Sequence, residues 1–315
     1  MSITIATAPG KIILFGEHAV VYGRPAVAAP VTQVRAQAIV EDSAESGVRL
    51  LAPDIGRDYW LADAGSRDPF ARSVRVVMEE ASLTELPGLR ITIRSSIPIA
   101  SGLGSGAAMA AAVIRALARH LGLKHLATDD RVSDLTYQVE RLLHGTPSGI
   151  DNTVVAHEKP VYFMRQEPRN RIETLTAARP LRLLVADTGV ASATKSVVGD
   201  VRQRWQADPD RYDRIFDGCG RIARLARRAI ERGAVPELGQ LMLDNHALLR
   251  EMTVSSQELD HLVSVAITAG ALGAKLSGAG RGGNMIALVT DKSEEAARQA
   301  LLAAGAITVM SSVLS

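Results

Sequence analysis

A short glycine-rich stretch, Ile97-Pro98-Ile99-Ala100-Ser101-Gly102-Leu103-Gly104-Ser105-Gly106-Ala107-Ala108, limits the local structure of this chain more than any other. It follows an alternating run, Leu89 to Arg94, that reads as a strand. It precedes an Ala-rich segment, Ala107 to Leu121, that reads as a helix closed by Gly122. Strand, glycine loop and helix start together suit an anion. Glycines let the backbone come close, and free N–H groups of the first helical turn point along the positive end of the dipole. Two readings follow: a polyphosphate cradle, which would make the chain a nucleotide enzyme, or a Gly-rich turn ahead of a buried Ala helix. No Gly-Lys-Ser/Thr follows the loop, so it is not a Walker motif, and no βαβ unit with a ribose-binding acid marks a dinucleotide site.

The rest of the chain bounds these readings. Its 315 residues exceed one typical domain of roughly 100–200, so two domains are expected, over residues 1–175 and 176–315. Aromatic residues make up only 3%, so the core must be built from Val, Leu, Ile and Ala. A net charge of +2 makes no case for nucleic acid and leaves room for a local basic pocket. The single cysteine, Cys219, excludes an internal disulfide and a Cys-based metal cluster. There is no charged-then-apolar leader and no uncharged apolar run of about 18 residues, since Arg115 and Arg119 interrupt the Ala-rich segment. A cytoplasmic protein, with no membrane partner, is expected.

Along the chain, Ser2 to Ala8 alternates as an edge strand, Pro9-Gly10 marks a turn, and Lys11 to Phe15 resumes an extended run that Gly16 breaks. Lys11, Glu17 and His18 therefore sit beside glycines and next to strands; the alternative is a solvated turn with a surface lysine. Pro25 to Val40 reads as one or two strands, 41–68 as a hairpin and loop, and Phe70 to Leu83 as a helix. Thr128-Asp129-Asp130 caps a helix from Arg131 to Leu143, followed by a polar turn, Thr146 to Asn152. Glu140 and Asp151 flank that turn and could bring two carboxylates to one site; alternatively Glu140 is an exposed acid paired with Arg141 or Arg115. Lys159 to Met164 reads as a strand and Arg165 to Thr176 as a charged link. Arg182 to Ala186 is a buried strand, and Ala193–Trp205, Tyr212–Glu231 and Val235–Met252 are helices. Ser255-Ser256-Gln257-Glu258 carries a capping-box pattern ahead of a helix from Leu259 to Ala269. A second glycine loop, Ser277 to Gly283, lies between extended segments, and a helix and a strand finish the chain. That loop either lines a ligand from the opposite side or is a flexible hairpin.

Three glycine-rich segments in this order resemble the GHMP kinase superfamily. Pro9-Gly10-Lys11 through Gly16-Glu17-His18 resembles its first motif, Ser101 to Ala108 its second and Lys275 to Gly283 its third. Within it the chain is most similar to the mevalonate kinase family. The matching segments are Gly16 to Gly23, His144-Gly145-Thr146-Pro147-Ser148-Gly149-Ile150-Asp151-Asn152, Leu238 to Leu249, and Asp187-Thr188-Gly189 followed by Thr194. The resemblance implies an α+β, two-lobe fold: an N-terminal domain like ribosomal protein S5 domain 2 and a ferredoxin-like C-terminal domain.

It also implies an ATP- and Mg²⁺-dependent kinase acting on the primary 5-hydroxyl of mevalonate, in isoprenoid precursor synthesis. Asp151 would be the general base, and Lys11 would neutralise charge and stabilise the forming bridge. Glu140, with Ser105, would bind Mg²⁺. Ser101, Gly102, Leu103, Gly104, Ser105, Gly106, Ala107, Gly278 and Gly280 would hold ATP, and Glu17, His18, Ser148 and Thr194 the substrate. A homodimer is compatible with that reading.

The chain departs from the family pattern at Gly106, where a second serine is usual, and at Ile99-Ala100-Ser101, where Pro-Gly-Ala is common. Arg281 stands for a glycine and Asn284 for a frequent cysteine. The same motifs would serve a kinase of another small alcohol (phosphomevalonate, the mevalonate 3-hydroxyl or a sugar). They would also serve a catalytically weak relative that binds nucleotide and metabolite as a sensor.

Overall fold

The computed structural model describes residues 2–98, 102–144, 147–167, 170–192 and 194–314. Ser101, expected in the phosphate cradle, lies outside them, as do Ile99, Ala100, Gly145 and Thr146 of the motifs. The chain is a mixed α+β protein that divides into two compact units. One comprises Met1–Lys11, Val34–Pro98 and Gly104–Glu158, the other Ile12–Gln33, Ile99–Leu103 and Lys159–Ser315. Two long strands, β1 (Ile3–Phe15) and β2 (Ala26–Asp42), pair with each other and contribute residues to both.

Pro9 and Gly10 do not turn the chain, contrary to the expectation from the dipeptide: β1 runs straight through them. Among the described residues β1 has only β2 as a strand neighbour, so half of its N–H groups have no ladder bond for a proline to remove.

In the first unit β2 pairs antiparallel with β5 (Leu89–Ser95), from Ala36 opposite Ser95 to Asp42 opposite Leu89. β3 (Val48–Ala52) lies parallel to β5 and forms a hairpin with β4 (Arg57–Trp60). Helices α1 (Pro69–Glu80), α2 (Ser105–His120), α3 (Asp129–His144) and α4 (Ile150–His157) pack together, and α2 also lies on β5. The alanines of α2 follow from that crowding. Three helices and a strand press on it, and small side chains at Ala107, Ala108, Ala110, Ala111, Ala112 and Ala116 let them approach. Arg115, buried in the same helix, donates to the carbonyls of Thr7 (3.0 Å) and Ala156 (2.5 Å) and pairs with Asp129 (3.0 Å). It thereby ties β1, α3 and α4 to α2. The polar turn expected up to Asn152 is shorter than its composition suggests, because α4 starts at Ile150 behind Gly149 in the left-handed region (φ 93°).

In the second unit β6 (Val161–Met164) pairs with the first residues of β2 and with β7 (Arg171–Thr174). β7 falls in the stretch expected to be a link. It is a short, charged edge strand, which hides its pattern. A second, antiparallel sheet has the order β11-β8-β10-β9, from β8 (Leu181–Asp187), β9 (Gly273–Ser277), β10 (Asn284–Val289) and β11 (Thr308–Leu314). β8 and β10 are its interior strands, and every residue of β10 is buried.

Around that sheet are α5 (Thr194–Ala207), α6 (Pro209–Arg232), α7 (Val235–Glu251), α8 (Gln257–Thr268) and α9 (Glu294–Ala303). Four of the eleven aromatics gather here. Tyr22 stacks on Phe216 with centroids 4.2 Å apart, and Trp205 and Tyr212 adjoin them. The α8 cap sits one residue later than its pattern suggests: Ser256 accepts from the Leu259 N–H, and Ser255 donates to Asp260 instead (2.6 Å). No helix among the described residues is long and apolar enough to cross a membrane.

Candidate active site

Lys11 lies in β1 and is 5% exposed. Its ammonium stands 3.2 Å from Oδ2 of Asp151, in the first turn of α4. A buried lysine excludes the alternative of a solvated turn. Gly104 closes over this pair. It holds φ 72° as the N-cap of α2, and a Cβ there would come within 2.9 Å of Lys11 Cγ and 3.5 Å of Asp151 Oδ2. Only glycine satisfies both the backbone angle and the approach.

The first intrahelical bond of α2 runs from Ala108 N–H to the Gly104 carbonyl. The N–H groups of Ser105, Gly106 and Ala107 therefore precede any helical acceptor, and no side chain caps the helix. Gly102 (φ 78°) and Gly106 are exposed with open space where a Cβ would be, whereas Leu103 and Ala107 are buried anchors. A cradle of free N–H groups beside a lysine fits a polyphosphate.

Glu140 is 6% exposed, so it is not the surface acid of the alternative reading, and Arg115 pairs with Asp129 and Glu158 rather than with it. The backbone N–H of Asn152 donates to its carboxylate. The Asn152 side chain donates in turn to the Ser133 hydroxyl (2.9 Å) and carbonyl (3.2 Å), locking α4 onto α3. Burial, then the charge of Asp151, push the Glu140 carboxyl up to about 8, with Lys11 opposing. Two carboxylates to one lysine leave room for a cation. The donor set, a buried carboxylate and the half-buried hydroxyl of Ser105, is not a closed cage. It fits Mg²⁺, which takes few carboxylates and completes its shell with phosphate oxygens and water. Ser148, at the start of the same turn, accepts from the Ile150 N–H (3.3 Å).

The second unit holds the other expected residues. Glu17 is fully buried and forms an ion pair with Lys275 of β9, itself fully buried. His18 has φ 58°, unusual for a side chain of its size, and its Nε2 donates to the Ala279 carbonyl (2.8 Å). A carbonyl only accepts, so Nε2 carries the proton and Nδ1 is the acceptor nitrogen. Burial lowers this imidazole to about 4, so it is neutral near pH 7.

Thr194 is exposed at the start of α5. Gly278 (φ 99°) faces open space, whereas a Cβ on Gly280 would lie 1.9 Å from the Val254 carbonyl oxygen. Arg281 occupies its glycine-like position at φ 56° because its N–H donates to the same carbonyl (2.7 Å) and its guanidinium pairs with Asp200. Asn284 is buried at the start of β10.

Sequence reading assigned no role to Lys275 or Ser277. Lys275 carried a signal, a lone charge inside the apolar run of β9. Ser277, which donates to the Ile13 carbonyl (2.9 Å) and accepts from its N–H (3.1 Å), carried none.

Residues 69–158 match the GHMP kinases N terminal domain and residues 226–307 the GHMP kinases C terminal domain. The chain is 37% identical to the mevalonate kinase of Thermococcus sibiricus over 96% of its own length and 93% of that protein's. It is similar to the crystal structure of L. major mevalonate kinase in complex with R-mevalonate, with a TM-score of 0.83 and 30% identity, covering 100% of this chain and 96% of that one. The Streptococcus pneumoniae phosphomevalonate kinase in complex with phosphomevalonate and AMPPNP shares the fold at a TM-score of 0.82 and 17% identity, covering 98% and 99% of the two chains.

Proposed function

The chain belongs to the mevalonate kinase family of the GHMP kinases, and on that premise we propose that it transfers the γ-phosphoryl group of ATP to the primary 5-hydroxyl of mevalonate. The observation that carries the mechanism is the Lys11–Asp151 pair under the Gly104 turn. The hydroxyl oxygen bonds to the γ-phosphorus while the bond from that phosphorus to the β,γ-bridging oxygen breaks, leaving ADP. The hydroxyl proton passes to Asp151 Oδ2. Phosphoryl transfer asks a protein for positioning and charge neutralisation rather than covalent chemistry, and Lys11 offsets the charge that gathers beside the base.

The N–H groups of Ser105, Gly106 and Ala107, with Gly102, Leu103, Gly104, Gly278 and Gly280, are assigned to the nucleotide, and Ser101 with them. Glu140 and Ser105 are assigned to Mg²⁺, which when bound would neutralise the terminal phosphates. His18, Ser148 and Thr194 are assigned to mevalonate, and the fully buried Glu17 to the same pocket through its neighbour His18. With Nε2 committed to Ala279, the acceptor nitrogen of neutral His18 suits a substrate hydroxyl better than its carboxylate. The proposed domains, 1–175 and 176–315, divide between the two family matches.

A substrate panel read by coupled ADP release tests the reading. Mevalonate is expected to be phosphorylated far faster than phosphomevalonate, galactose or homoserine. Equal rates across the panel, or turnover confined to another alcohol, would refute it. Nucleotide binding without turnover of any member would favour the sensor.

A further inference from the structure

Three alternate residues of the third glycine motif lace it to the first. Lys275 holds Glu17, Ser277 holds Ile13 through both its N–H and carbonyl, and the Ala279 carbonyl holds His18. Lys275 is the innermost. Its side chain and that of Glu17 are both 0% exposed, and its ammonium also donates to the Leu276 carbonyl (2.5 Å). Behind it, His246 accepts from the Leu276 N–H (3.3 Å) and donates to Asp260 (3.0 Å), which fixes the backbone from which Lys275 projects. Taking two charges fully out of water is costly, and a hydrophobic pair of similar volume could fill the space at less cost. A buried pair whose two members come from signature motifs is therefore better explained by what it holds in place. What it holds is the corner at His18, whose φ of 58° persists only where its surroundings over-determine it.

We propose that Lys275 is a positioning residue for substrate binding: by clamping Glu17 it sets the Glu17–His18 corner that presents His18 to the alcohol. Glu17 acts with Lys275 rather than on the substrate, since its carboxylate is sealed from solvent. This rests on the assignment of His18 to the substrate.

The test compares wild type, Lys275→Met, Glu17→Gln/Lys275→Met and His18→Ala, alone and combined with the double substitution. The double variant leaves no unpaired buried charge, so it keeps the test alive if Lys275→Met does not fold. The expected result is a KM for mevalonate raised by about tenfold or more in the double variant, with the KM for ATP within about twofold. Adding His18→Ala should then raise the mevalonate KM by less than about threefold further, because residues acting through one another are not additive. A mevalonate KM within about twofold of wild type, a parallel rise in both KM values, or multiplying effects of the pair and His18 would each overturn the proposal. Failure of both Lys275 variants to fold, seen by circular dichroism, would also overturn it and assign the pair to stability. Wild-type turnover of mevalonate is read separately; if wild type prefers another alcohol, the KM for that alcohol decides the role of Lys275.

Discussion

Asp151 and Lys11 carry the sharpest expectation. Asp151→Asn retains the shape of the side chain and removes its basicity, so kcat should fall by about 10²-fold or more while nucleotide affinity holds. Lys11→Met should do similar damage, and stopped-time assays alongside calorimetric ADP titration check both. The two cradle glycines separate by geometry. Gly104→Ala places a methyl against Lys11 at a positive φ, and should lower both the melting temperature and kcat. Gly106 has no positive φ and nothing near its missing Cβ, so Gly106→Ser should change kcat by less than about tenfold, or about 1.4 kcal/mol. Glu140→Gln should cost much more than Gly106→Ser, since it removes the charged donor assigned to the metal. A large gain in kcat from the hydroxyl that Gly106→Ser introduces would show instead that the natural site is defective.

The β9–β10 hairpin offers a test of an element by its loop. Gly280 is packed against the backbone of Val254, so Gly280→Ala must displace the loop, at a cost of about 2–3 kcal/mol. Gly278→Ala meets open space and bears only the left-handed backbone, about 1–2 kcal/mol. Denaturant midpoints of the two variants should therefore differ clearly, and equal losses would show that the hairpin yields freely. The packing of Gly280 on Val254 makes the loop a braced turn rather than a flexible hairpin. Helix α4 makes the complementary point. Its start is set by Gly149 and its seat by Asn152 on Ser133, so the turn that presents Asp151 is held from both ends.

For the chain as a whole, two histidines predict how stability responds to acid. His18 and His246 are each lowered by burial from 6.5 to about 4. For His246 the Leu276 N–H already occupies Nδ1, so a second ring proton has nowhere to go, and Asp260 only partly compensates. Between these values the unfolded chain binds more protons than the folded one, so stability rises with pH there. It is fully present above about 6.5 and lost as pH falls towards about 4, by up to about 3 kcal/mol for each histidine. The Glu140 carboxyl, raised to about 8, contributes with the opposite sign as pH falls below that value, so melting temperatures measured from about pH 7.5 to about 4.5 should decline less than the two histidines alone require. His18→Asn, which tolerates a positive φ, should flatten the decline; an unchanged slope would mean that His18 does not titrate as its burial requires.

The strands and helices were legible in the sequence wherever the pattern is local. The alternation of Leu89 to Arg94 and the alanine run after the glycine loop depend on neighbours two to four positions away. The three glycine motifs and their order were equally legible, and with them the family. Local pattern failed where neighbours from elsewhere decide: Pro9-Gly10 stays extended because β2 holds β1, and the charged β7 is a strand because β6 pairs with it. Which charged residues are buried was beyond any spacing. Lys11, Glu140 and Glu17 look alike in sequence to surface charges, and only packing removes their water. The pairing of Glu17 with Lys275 spans 258 positions, and it exists because the chain folds back to set β9 against the first motif. Periodicity acts along the chain; desolvation and charge pairing act through space, and those were decided by the tertiary structure alone.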